Sequence, residues 1–118
     1  MADLSEMSCE IISAVGAAKG CFVEAIRYAK NSQLKEAKES YDEGVKNYNE
    51  GHKVHHQLIT DFAAGKNIDL DILLVHAECQ MMSAEDFMVL TSEYIDYLEE
   101  QQKWWYKLNV GQDYAIQI

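Results

Sequence analysis

The sequence predicts an all-α protein, an antiparallel up-down-up bundle of three long helices. Proline is absent and the six glycines are scattered, so little in the body of the chain forces a helix to break. Apolar and small residues recur near every 3.5 positions over long stretches, the period of one helical stripe. Two short clusters interrupt that period, Asn31-Ser32 and Gly65-Lys66-Asn67. They divide the chain into three segments joined by short turns, the sign of antiparallel neighbours.

The first segment carries Leu4, Ile11, Val15, Ala18, Phe22, Ala25 and Ala29 on one stripe. Ser32 is the expected N-cap of the second, because its hydroxyl can accept from a free amide of the first turn. The second stripe reads Leu34, Ala37, Tyr41, Tyr48, His52, His55, Ile59 and Phe62, and Gly65 is the expected C-cap. Asp69 is placed to cap the third helix, predicted over about Leu70 to Lys107, with its carboxylate at the positive end of the dipole. Residues 1–109 thus form one domain, and the tail from Val110 to Ile118 stays unassigned. A glycine inside a helix costs about 1 kcal/mol relative to alanine. Gly16 and Gly20 in the first helix, and Gly44 and Gly51 in the second, therefore point to close helix approach.

The stretch from Ile72 to Met82 is apolar nearly all round. A helix in a monomeric three-helix bundle needs a polar face, so this one calls for a second partner, and a closed cyclic oligomer supplies it. With 48% hydrophobic residues the chain also has material for a core of its own.

A net charge of −10, from 20 acidic and 10 basic side chains, argues against nucleic acid or an anionic membrane as partner. Cys9, Cys21 and Cys79 are odd in number and lack C-x-x-C spacing, so neither a disulfide framework nor a zinc ribbon is expected. No basic leader precedes an apolar run, and no apolar run reaches the roughly 20 residues of a membrane span. The expected location is the cytoplasm, without membrane insertion.

Four histidines can do chemistry. His52, His55 and His56 lie in the second helix and His76 stands among apolar neighbours in the third. An imidazole is a nucleophile at neutral pH through one nitrogen while a hydrogen bond holds the other. His52 with His55 or His56 also has the spacing of two metal ligands on one helical face, to be completed by Glu50, Glu78, Cys79 or His76. A satisfied core histidine is the plain alternative for His52 and His55. Glu93, Asp96, Glu99 and Glu100 read as a solvated face, and Trp104, Trp105 and Tyr106 as a partly buried, fraying helix end.

Over roughly residues 11 to 101 the sequence resembles the lactose/cellobiose-type IIA component of the bacterial sugar phosphotransferase system. The resemblance rests on Ile11-Ile12-Ser13-Ala14-Val15-Gly16-Ala17-Ala18-Lys19, on Glu24 to Lys30 with Leu34 to Lys38 after a turn, on Glu50-Gly51-His52 with Leu58-Ile59, and on Leu73-Leu74-Val75-His76-Ala77 with Met82-Ser83. It implies a homotrimer of three-helix subunits. Each subunit would take a phosphoryl group from the phosphocarrier HPr on a histidine and pass it to a cysteine of the IIB component for disaccharide uptake. His76 stands in the phosphorylated position. His52 and Gln80 are the candidate donors to the phosphoryl oxygens, since the chemistry asks mainly for positioning and charge stabilisation.

The family's Gln-Asp-His after the active histidine is Glu78-Cys79-Gln80 here. In the family the aspartate lies on the threefold axis, where three copies share a metal ion. Cys79 removes that charge, so no metal or other cofactor is expected to be required, and three thiols there can pack as small apolar groups. Glu78 is expected to point outward. Two other readings stay open: a regulatory or degenerate paralogue that keeps the bundle without efficient relay, and a metal-binding bundle using His52, His55 or Cys79.

Overall fold

The computed structural model describes residues 3–116. Three helices follow in chain order: α1 (Leu4–Lys30), α2 (Leu34–Ala63) and α3 (Ile72–Ile116). The predicted bundle is what forms, and its start in α1 follows the predicted stripe closely. Ile11, Val15, Ala18, Phe22, Ala25 and Ala29 are all buried, and Phe22 is the largest fully buried side chain, with Tyr41 and Phe87 tilted against its ring. Asp3 caps α1 by accepting from the Ser5 amide.

The two turns differ in detail from expectation. Ser32 does not cap α2. Its φ is +62°, and it sits just past the end of α1, donating its amide to the Ala29 carbonyl while Gln33 reaches back to that of Tyr28. That pair of bonds is a Schellman ending, in which a residue in the left-handed region closes the helix. Ser32 is consumed in terminating α1, so Gln33 takes the N-cap position of α2 without a side-chain bond. The end of α2 repeats the motif with Gly65 at φ +86°, the Gly65 amide bonding Phe62 and that of Lys66 bonding Asp61. The cap of α3 is Asp71 rather than Asp69. Its carboxylate accepts from the Leu74 amide at 2.7 Å and its carbonyl from that of Val75 at 3.1 Å.

In α2 the buried line runs through Ala37, Gly44, Tyr48, Gly51 and Leu58. Below Tyr48 it is offset by about one residue from the predicted stripe, so His52, Ile59 and Phe62 are exposed and His55 half-buried. The cause lies in the glycines. A Cβ on Gly44 would stand 2.5 Å from Phe22 Cε1, and one on Gly51 2.9 Å from Val15 Cγ1. These are the points where α2 lies on α1, and a stripe drawn through side chains passes them by. Gly16 and Gly20, by contrast, face open space within the subunit.

Helix α3 buries Leu74, Ala77, Met81, Ala84 and Ile95 against the other two helices. Its other side stays bare: Ile72 is 84% exposed, Met82 64% and Leu90 67%, with Val75, Val89 and Tyr97 also open. The helix continues to Ile116, past the predicted end at Lys107, so the backbone of 110–116 extends α3, while residues 117 and 118 of the expected tail lie outside the described residues. Trp104, Trp105 and Tyr106 lie at the predicted end and are exposed, not half-buried, although Trp105 and Tyr106 border Leu34 at the start of α2. The acidic stretch is solvated as expected except at Glu99, which pairs with Lys38 at 2.9 Å and Lys103 at 3.7 Å.

Candidate functional site

Asp71 fixes where α3 begins, and that sets the surroundings of His76. The first four amides of a helix are the free donors, and His76 follows them in the second turn. Anion stabilisation at its ring must therefore come from side chains. The imidazole is exposed, and among the described residues neither nitrogen is engaged in a hydrogen bond. Its flanks on the open side of α3 are apolar, with Ile72 and Val75 above and Cys79 and Met82 below.

Gln80 lies one turn on from His76 and on the same face. It is half-buried, and its side-chain carbonyl accepts a hydrogen bond from Lys19 Nζ of α1 at 2.9 Å. His52 is not joined to either residue. It is exposed, and its ring stacks on Tyr48 at 5.9 Å with 20° between the planes. Burial, followed by the charge of Glu85, pushes the Tyr48 hydroxyl above its ordinary 10.0. His76 and Gln80 thus lie one turn apart on α3, and among the described residues no hydrogen bond joins His52 to either.

Glu78 corrects another expectation. Two residues past His76 it emerges about 200° around the helix, and it turns toward α2 rather than outward. There both carboxylate oxygens meet His55 Nε2, at 2.8 and 2.9 Å. The carboxylate that would oppose an anion on His76 is thereby directed toward α2 and hydrogen-bonded to His55. His56 is exposed. The described residues include no group of three or more His, Cys, Asp or Glu side chains placed to hold a metal ion, so His55 and Glu78 form a pair rather than part of a cluster. Cys9, Cys21 and Cys79 are all free thiols. At Cys79 the donor set does not suit a hard, oxygen-seeking cation, because no carboxylate stands at that position.

Lys19 is the residue at this site that pattern reading overlooked. It appears in the sequence only as the basic partner of Ala18, and nothing in α1 alone indicates which residue of α3 it crosses. The signal available was its place in the matched segment Gly16-Ala17-Ala18-Lys19.

Three long helices with an exposed imidazole on a largely apolar helix face define the class: an all-helical three-helix bundle. No helix among the described residues is long and apolar enough to cross a membrane. Residues 6–99 match the family described as PTS system, Lactose/Cellobiose specific IIA subunit, and the chain belongs to that family. It is 35% identical to the galactose-specific EIIA component of Lactococcus lactis subsp. cremoris over 85 residues, 72% of this chain and 73% of the relative. It is 24% identical to the lichenan-specific phosphotransferase enzyme IIA component of Bacillus subtilis over 98 residues, 83% of this chain and 89% of the relative. The crystal structure of the PTS cellobiose-specific enzyme IIA from Bacillus anthracis superimposes with a TM-score of 0.81 at 28% identity, covering 87% of this chain and 95% of that one.

Proposed function

We propose that this IIA component carries phosphate on His76, taking it from phosphorylated HPr and delivering it to a cysteine of its IIB partner for disaccharide uptake in the cytoplasm. The observation that carries the reading is the exposed His76 ring, its nitrogens unengaged, beside the Gln80 amide on an otherwise apolar face. In the uptake step the lone pair of an unprotonated His76 nitrogen forms the new N–P bond. The donor's N–P bond breaks and its electron pair stays with the donor imidazole. The proton on the other His76 nitrogen does not move, and the protein's task is to align the groups and balance the phosphoryl charge.

The open face of α3 supports a homotrimer in which that face is covered by copies of the same helix, with His76 near the subunit boundary. In such an assembly His52 of a neighbour is the remaining candidate donor, and three Cys79 thiols pack without requiring a metal.

The test is incubation with phosphoenolpyruvate, enzyme I and HPr. The wild-type protein is expected to take up one acid-labile phosphoryl group per chain, and His76→Ala none. A His76→Ala protein that labels normally overturns the assignment. A wild-type protein that folds and assembles but never labels favours a regulatory paralogue, to which the Glu78-Cys79-Gln80 segment would then be traced.

A further inference from the structure

Lys19 and Gln80 are 61 positions apart in sequence and meet across α1 and α3 in a half-buried contact. An ammonium group has donors only. It must therefore meet the carbonyl end of the Gln80 amide, which leaves the NH2 end as the part of Gln80 free to donate elsewhere. In an α-helix side chains lean toward the N-terminus over the preceding turn, and the residue one turn before Gln80 on its face is His76. The lysine is also not neutralised. No carboxylate pairs with Lys19 among the described residues, as is also true of Lys30, Lys35, Lys53 and Lys107, and the side-chain partner its ammonium has is the Gln80 carbonyl.

We infer that Lys19 is a positioning residue for phosphoryl transfer: it holds the Gln80 carbonyl so that the Gln80 NH2 group faces the phosphoryl oxygens on His76. This rests on His76 being the carrier. Gln80 makes the contact with the phosphoryl group, and Lys19 acts through it, its charge polarising the amide and strengthening the hydrogen bond that amide donates. Without Lys19 the glutamine loses its anchor, and the amide samples orientations that offer the phosphoryl group an oxygen.

The experiment is single-turnover phosphorylation by phosphorylated HPr of the wild-type chain, Lys19→Met, Lys19→Arg, Gln80→Leu and the Lys19→Met/Gln80→Leu double variant. Circular dichroism confirms folding of each. Gln80→Leu is expected to slow uptake about a hundredfold, the scale of losing one preorganised donor to a developing charge. Lys19→Met should slow it about tenfold, Lys19→Arg should restore most of the rate because a guanidinium can hold the same carbonyl, and the double variant should be no slower than Gln80→Leu alone. Labelling of Lys19→Met at the wild-type rate overturns the role of Lys19 and leaves the carrier reading standing. Lack of rescue by arginine, or losses that multiply in the double variant, also overturn it, since either means that Lys19 does not act through Gln80. Absence of label on the wild-type chain overturns both.

Discussion

Gly44 and Gly16 are both helical glycines, yet they make opposite predictions. At Gly44 a methyl group would meet Phe22 Cε1 at 2.5 Å and Cδ1 at 2.8 Å, with Cys21 Cβ behind them at 3.1 Å. Phe22 is fully buried between Tyr41 and Phe87 and has little room to move. Gly44→Ala should therefore lower stability by about 1–3 kcal/mol, the scale of overpacking, less the roughly 1 kcal/mol gained in helix propensity. Gly16→Ala meets nothing within 4 Å in the subunit and should raise subunit stability by about 0.5–1 kcal/mol. Urea titration of both variants measures the contrast, and equal effects would show that α2 does not lie on α1 at Gly44. Ser32 gives a third case. Its φ of +62° strains any residue with a Cβ, so Ser32→Gly should stabilise the protein by about 1 kcal/mol, read as a higher urea midpoint. A lower midpoint would mean that the serine side chain contributes something that glycine lacks.

At the scale of the helices, much was legible in the sequence where apolar side chains carried the signal. The α1 stripe was readable because each inward position holds a side chain larger than hydrogen. The lower half of α2 was misread because its contact with α1 runs through Gly51, so His52 seemed to face inward. Two caps were misplaced for a related reason: Ser32 and Asp69 have capping chemistry, but the chain spends Ser32 on ending α1 and uses Asp71, two residues later, to begin α3. Within the candidate site, His76 and Gln80 share one helix and could be related by period alone. Lys19 and the His55–Glu78 pair depend on which residues cross between helices, and no local pattern encodes that. Ion pairs between helices also yield a prediction at this scale. The hydrogen bond from Lys38 of α2, then the charges of Lys38 and Lys103, hold the Glu99 carboxyl of α3 below its ordinary 4.5. A depressed carboxyl contributes stability that is fully present above 4.5 and is lost as pH falls through the lowered folded value. Lys38→Met should therefore lose less stability than the wild type on acidification from neutrality to below 4.5. Parallel melting curves at the two pH values test this, and identical acid losses would dismiss the pair as a source of pH dependence.

For the whole molecule the deciding feature is that α3 has two apolar sides and the subunit covers one. Met81 and Met82 show the division: Met81 is buried against α1 and α2, while its neighbour is 64% exposed. Ile72, Val75, Val89 and Leu90 continue the bare side along the helix, and His76 lies among them. Isolated exposed apolar residues need no explanation, but two apolar groups on one side of a helix, Ile72 to Met82 and Val89 to Leu90 with Asp86 between them, are the kind of surface a partner chain can cover. If three copies of α3 cover one another, Met82→Glu places a carboxylate from each subunit in the shared core without a partner. The penalty for an uncompensated charge there is several kcal/mol per subunit, and each 1.4 kcal/mol is tenfold in an association constant. The variant should therefore sediment as a monomer at concentrations where the wild type sediments as a trimer. Because Met82 faces away from Phe22 and the rest of the core, its helical circular dichroism should stay that of a folded bundle. A variant with unchanged mass would place the subunit contact on another face, and His76 would then have to receive its phosphate on a surface that no neighbour shares.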